Sequence, residues 1–246
     1  MRLDQMTWME ADEYLSRSST IILPVGSTEQ HGPMGLIGTD TICATAIAES
    51  ASEICNVIVA PALAYTPAPF NTGFPGTISL SVDVFTDMLG EVLSGLQVQG
   101  FTHIYILNGH GANVAPINQV MKAQANGKTK LRSWWDHDAV RQLVGEFYGD
   151  WEGMHATPSE IAITQTGYRT VSPGIATEPP QKLSRDFITA HAGDRHGPPD
   201  EHRAQFPDGR VGSHSALAKP EHGQRILEAA AKATARDIVD FTNASE

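Results

Sequence analysis

Glu29 and His31 stand two residues apart just past an apolar run, and Asp40 lies further along the same stretch. The run, residues 20–25, reads as a buried strand. Gly26 breaks it, and Gly32 and Pro33 keep the next residues irregular. In an extended segment, side chains two apart point to one side. A carboxylate and an imidazole thus face together at a strand end, with a second carboxylate nearby. That donor set suits a Zn, Mn or Fe ion. The same residues also read as a polar loop with Asp40 capping a helix over 41–52.

A second stretch adds to the first. Residues 103–107 form an apolar run that also ends in a glycine-broken polar loop, Asn108-Gly109-His110-Gly111-Ala112-Asn113. Glycines beside His110 let the backbone approach a ligand or another loop closely. Two strand-end loops, each offering a histidine, make a shared metal site the economical reading. In open α/β sheets, sites gather at the ends of strands. A third stretch runs from Gly149 through Trp151, His155, Thr157 and Pro158 to Glu160. Thr157, Pro158 and Glu160 have the pattern of a helix N-cap, first residue and capping-box glutamate. Capping alone accounts for Glu160.

Together these blocks resemble the creatininase (creatinine amidohydrolase) family. The resemblance rests on Leu23–Gly32 with Asp40, on Phe74-Pro75-Gly76-Thr77, on Asn108–Asn113, and on His155-Ala156 with Glu160. It implies a hydrolase with two divalent metals, Zn, Mn or Fe, that opens C–N bonds of cyclic or linear amides. Glu29, Asp40 and His110 are then assigned to one metal. His31, Asp40 and Glu160 are assigned to the other, with Asp40 bridging. His155 becomes the proton-transferring residue, and Trp151, Phe74 and Asn71 become substrate contacts. The resemblance also implies a ring of six subunits. The sequence departs from creatininase at three positions. Ala112 stands where that enzyme has an acidic ligand, Met154 where it has a glutamate before its catalytic histidine, and Asn71 where a histidine is often found. The first departure moves the fifth ligand to Glu160, and together they point to an amide other than creatinine. Formamides of nucleotide precursors and peptide bonds at modified C-termini are substrates of relatives. A two-metal phosphoesterase and a non-catalytic metal-binding regulator are the readings from other classes. The site blocks contain no arginine cluster or phosphate-cradling glycine loop, and no DNA-binding pattern accompanies them.

The elements that must position these residues are read from the rest of the chain. Its 246 residues suit one α/β domain over 1–246. A net charge of −11 argues against nucleic acid or anionic membrane as partners. No signal-type segment opens the chain, and no apolar run reaches the ~18 residues of a membrane span. Cys43 and Cys55 read as buried reduced thiols. A soluble cytoplasmic protein acting on a small-molecule amide is expected. Helices are expected near 7–16, 41–54, 82–99, 114–125, 138–148, 158–166 and 220–242. Strands are expected near 20–25, 57–60, 77–80, 103–107 and 130–135, with 57–60 central. Alternation of the two predicts a mainly parallel sheet with helices on both faces. The proline-rich loop 61–76 is expected to wall the substrate. Residues 172–220 lack periodicity, and His191, His196, His202 and His214 within them read as solvated loop histidines.

Overall fold

A computed structural model describes residues 1–123 and 128–244. Four parallel strands form the centre: β1 (Thr20–Val25), β2 (Ile58–Val59), β3 (His103–Asn108) and β4 (Lys128–Ser133), in the order β2-β1-β3-β4. Every residue of β1 is buried, which is why its sequence reads as an unbroken apolar run. Alternate β1 residues serve opposite faces. Ile22 packs with Tyr105 and Leu107 against α2 (Thr39–Cys55), α5 (Asp138–Phe147), α6 (Pro158–Gly167) and α9 (Pro220–Asn243). Ile21, Leu23 and Val25 pack with Ile104 and Ile106 against α1 (Trp8–Leu15), α3 (Val82–Val98) and α4 (Val114–Ala123). Each large aliphatic side chain so buried contributes about 1.5–3 kcal/mol. The sheet is thus covered on both faces, as parallel sheets are.

Among the described residues, four helix starts are capped by a side chain, one of them by the Ser184 hydroxyl, which accepts from Phe187 N–H. Thr7 and Thr157 each close a capping box, with Glu10 and Glu160, and the Ser81 hydroxyl accepts from Val84 N–H. Both cysteines are free thiols on α2, Cys43 buried and Cys55 partly so.

Elsewhere the structure departs from the sequence expectation. The 57–60 strand is an edge of the sheet, shortened to two residues, and the chain's first residues cover it, with Val59 N–H donating to Met1 O. The short edge also explains how Pro24 fits a central strand. Its missing N–H falls on the β2 side, beyond the end of β2. Residues 77–80 form no strand. They make one antiparallel bridge, Ile78 to Thr28, because no neighbouring strand lies beside them. Trp134 and Trp135 leave β4 as a short 3-10 turn. The helix expected over 114–125 is described over Val114–Ala123, and its last two positions lie outside the described residues. The segment 172–220 contains two helices, α7 (Arg185–His191) and α8 (Pro199–Gln205). Among the described residues, no helix is long and apolar enough to cross a membrane.

Candidate metal centre

Several segments converge at the carboxyl end of the sheet. Glu29 and His31 lie on the loop after β1, His110 on the loop after β3, and Glu160 in the first turn of α6. Asp40, expected on the β1 loop, instead occupies the first turn of α2, which starts at Thr39 with Gly38 as N-cap. Gly109 makes the convergence possible. A Cβ there would meet Asp40 O at 2.3 Å, so only glycine lets the second loop pass the start of α2. Glu29, His31, Asp40, His110 and Glu160 are all buried.

Two triads share Asp40. Glu29, Asp40 and His110 form one, and His31, Asp40 and Glu160 the other, each with donor atoms within 4.8 Å of one another. The two imidazoles take up parallel postures. His31 Nδ1 lies 3.1 Å from Glu29 O, and His110 Nε2 lies 2.9 Å from Pro67 O. Each carbonyl takes the N–H of that nitrogen, which fixes the other nitrogen as the one facing the carboxylates. His31 Nε2 then stands 2.9 Å from Asp40 Oδ1 and 3.8 Å from Glu160 Oε1. His110 Nδ1 stands 3.0 Å from Glu29 Oε1 and 3.1 Å from Asp40 Oδ2. Neutral imidazoles in this posture offer lone pairs to carboxylate oxygens, a repulsive arrangement unless a proton or a metal ion lies between. Glu29 Oε1 is buried and has no hydrogen-bond partner. The donors fit divalent cations better than they fit one another.

The electrostatics of the protein alone say the same. Burial pulls His31 down, but the carboxylates of Asp40 and Glu160 outweigh it and raise the imidazole to about 10. His110 is likewise held well above its ordinary value by Glu29 and Asp40, against burial. Burial pushes the Glu160 carboxyl up to about 8. Protons stand in for cations at a cluster this rich in buried acids.

Asn71, Phe74 and Trp151 are placed differently from the sequence expectation. Asn71 is fully buried behind Glu29, donating to its Oε2 at 2.7 Å and accepting from Gln30 Nε2 at 2.8 Å. It fixes the carboxylate and leaves no group for a substrate. Phe74 lies under the Arg203 guanidinium, and Trp151 packs against His214 and Lys182. None of the three lines the cavity beside the triads. That cavity, of about 330 Å³, is walled by Trp134, Trp135, Val144 and Met154, with Asp40, His110, His155 and Glu160 on the triad side. The loop 61–76 is absent from the lining and braces the cluster from behind, through Pro67 O and Asn71.

His155 does line the cavity. Its Nε2 donates to Gln30 O at 2.7 Å, which leaves Nδ1 as the free lone pair, 3.8 Å from Glu29 Oε1. Burial lowers it to about 4, so the ring is neutral near pH 7. Glu29, His31 and His155 also form a third set of donors within reach of one another.

Sequence reasoning missed two features of the site. Trp134 and Trp135 follow β4 as His110 follows β3, so the strand-end rule could have found them. Asp194, on the 192–198 loop, brings Oδ2 to 3.8 Å from His110 Nδ1. It occupies the space that a side chain at Gly111 would need. No periodicity in that stretch signals it. The loop histidines are not uniformly solvated either. His202 is buried, and His196 packs between Phe70, His191 and His202. These rings cover the outer side of Phe70, whose inner side faces His110 and His155.

A family model described as creatinine amidohydrolase matches residues 4–238. A 3-dehydro-scyllo-inosose hydrolase of Thermotoga maritima is 39% identical over 114 residues, covering 46% of this chain and 37% of that protein. A mycofactocin precursor peptide peptidase of Mycobacterium tuberculosis is 33% identical over 116 residues, covering 43% and 46%. The chain thus matches less than half the length of these two relatives. The creatinine amidohydrolase of Pseudomonas putida is 25% identical over 250 residues, 91% of this chain and 90% of that protein. A crystal structure of creatinine amidohydrolase superposes with a TM-score of 0.76 at 22% identity, over 96% of both chains. A structure described as creatininase Mn gives 0.75 at 23%, over 97% of both. These two share the fold.

Proposed function

The chain belongs to the creatininase family, and from that premise we propose that it is a metal-dependent amidohydrolase that cleaves a C–N bond of a cyclic or linear amide. The observation that carries the proposal is the matched posture of His31 and His110, each with its far nitrogen on a backbone carbonyl and its near nitrogen on Asp40. Glu29, Asp40 and His110 would hold one divalent ion, and His31, Asp40 and Glu160 a second. Creatininase structures described as Mn and Zn–Zn forms support Zn or Mn as the ions.

Such ions supply Lewis acidity toward an amide carbonyl and lower the pKa of water to near neutrality. The protein's own residues do the rest. Asp40, with one oxygen toward each imidazole and Oδ2 accepting from Ser27 Oγ at 2.7 Å, is oriented to serve both triads. Asn71 and Gln30 hold Glu29 against rotation. His155 Nδ1 can take a proton during attack and return it to the leaving nitrogen, because Nε2 is anchored and the ring starts neutral. Trp134 and Trp135 offer a flat apolar wall to the substrate.

Phosphoester hydrolysis fits this cavity less well. Arg141 is the one arginine or lysine among its described lining residues, and Glu152, Asp136 and Asp194 add negative charge that repels a phosphate. The test is hydrolysis of a panel of cyclic and linear amides and aryl phosphates by protein loaded with Mn or Zn. Turnover of an amide, lost on chelation and restored by metal, is expected. Turnover confined to aryl phosphates would overturn the reading.

A further inference from the structure

Glu152 sits in the wall of the same cavity, on the short turn before His155. Its Oε1 accepts from the Ser159 hydroxyl, and Ser159 is the neighbour of Glu160 at the start of α6. Its Oε2 is buried and has no hydrogen-bond partner. Buried acceptors are almost always satisfied, so an orphan carboxylate oxygen on a residue that lines the cavity marks a place for a donor. The turn that carries it is clamped. A Cβ at Gly153 would meet Ser213 Oγ at 2.3 Å and Ser213 N at 2.5 Å, so the loop cannot swing away without breaking contact.

The charge around Glu152 sets the chemistry of that donor. Arg141 is committed to Asp138 at 2.7 Å and Asp136 at 3.7 Å. Two divalent ions would offset Glu29, Asp40, Glu160 and the nearby Asp194, and would leave Glu152 as a negative group that has Ser159 as a hydrogen-bond partner but no cation beside it. Burial raises its carboxyl to about 7, against hydrogen bonds from Ser159 and Thr157 that lower it, and a cation at the orphan oxygen would favour the charged form. Elsewhere the cavity wall offers apolar surface at Met154, Trp134 and Trp135.

We propose that Glu152 is a specificity-determining residue that binds a cationic nitrogen on the substrate, so that the preferred substrates are amides carrying an ammonium or amidinium group on an apolar linker. This rests on the proposed metal-dependent hydrolysis at the same site, and the test separates the two. ω-Aminoacyl hydroxamates and their methyl-terminated isosteres are titrated into Mn-loaded protein by calorimetry. The hydroxamate end reports the metals, and the ammonium end reports Glu152.

The protein is expected to bind both kinds, and the ammonium series about tenfold or more tighter, the scale of one charge-assisted hydrogen bond. Glu152→Gln keeps an acceptor for Ser159 and should abolish the preference while leaving the isosteres' affinity unchanged. Equal affinity of the two series for the parent protein would overturn the proposal without any variant. So would a preference that survives Glu152→Gln. Failure of both series to bind would sink the metal site, and this proposal with it.

Discussion

His31 and His110 approach Asp40 from opposite sides, Nε2 of the first 2.9 Å from Oδ1 and Nδ1 of the second 3.1 Å from Oδ2. One carboxylate is therefore the hinge of two donor sets that otherwise share no residue. Asp40→Ala is expected to lose both ions, and His110→Ala mainly one. Elemental analysis after reconstitution checks both. An Asp40→Ala protein that retains two ions would remove the bridging role.

Glu160 answers to two descriptions at once. Its Oε1 accepts from Thr157 N–H at 2.5 Å, closing the capping box, and the same oxygen faces His31. Glu160→Gln preserves length and an acceptor for the cap, so stability should fall by no more than about 0.5–2 kcal/mol, the range for losing a cap outright. Metal content should fall by the ion on the His31 side. If both ions and full activity persist, the carboxylate serves only the helix.

Asp194 supplies a carboxylate near His110 that the loop around Ala112 does not. It holds a left-handed backbone conformation, φ 55°, which non-glycine residues adopt at a cost. Asp194→Asn is expected to weaken metal binding at the His110 triad several-fold and to spare the His31 triad. Competitive chelator titration measures the two affinities. Equal loss at both would point to loop collapse instead.

The donors are legible in the sequence because each belongs to a strand end or helix start with strong local grammar. Gly26 and Gly109 terminate apolar runs, and Thr157-Pro158 announces α6. The substrate wall is not legible, because a cavity is made by residues distant in sequence. Trp151 has the right chemistry for stacking and the wrong neighbours, Lys182 and His214. Asn71, two positions from a glycine in a proline-rich loop, gives no local sign that its amide will be used up by Glu29. Likewise β2 reads as a central strand because it is apolar, whereas its edge position depends on where β3 and β4 dock.

Away from the site, Asp237 ties α9 to the sheet. Its Oδ1 accepts from Lys130 Nζ at 2.7 Å, and its Oδ2 from Tyr105 OH at 2.7 Å. Burial opposes its ionisation, but these donors outweigh it and hold the carboxyl below its ordinary value. A carboxyl lowered in the folded state stabilises above its unfolded pKa and loses that contribution as pH falls through the folded one. Asp237→Asn should therefore destabilise by about 1 kcal/mol at pH 7, given the partial exposure. Thermal unfolding of parent and variant should converge below about pH 4. A gap that is constant with pH would mean packing, not charge, is lost.

His155 is the sharpest test of the chemistry. It precedes α6, and the residue after it, Ala156, holds a left-handed φ of 57°. Nε2 is spent on the Gln30 carbonyl, so any proton it moves must move at Nδ1, on the side of Glu29. The ring packs on His31 with centroids 4.5 Å apart. His155→Ala is expected to lower kcat by about 10²–10⁴-fold, the usual contribution of general acid–base catalysis. Metal content and Tm should change little, because neither Asp40 triad includes it. His155→Gln is the companion variant, since its Nε2–H can still reach toward the Gln30 carbonyl while offering no base. Low kcat in both variants, with two ions retained, assigns proton transfer to Nδ1. If activity is lost only in step with a missing ion, His155 belongs with Glu29 and His31 as a ligand. If activity is retained, the proton moves elsewhere.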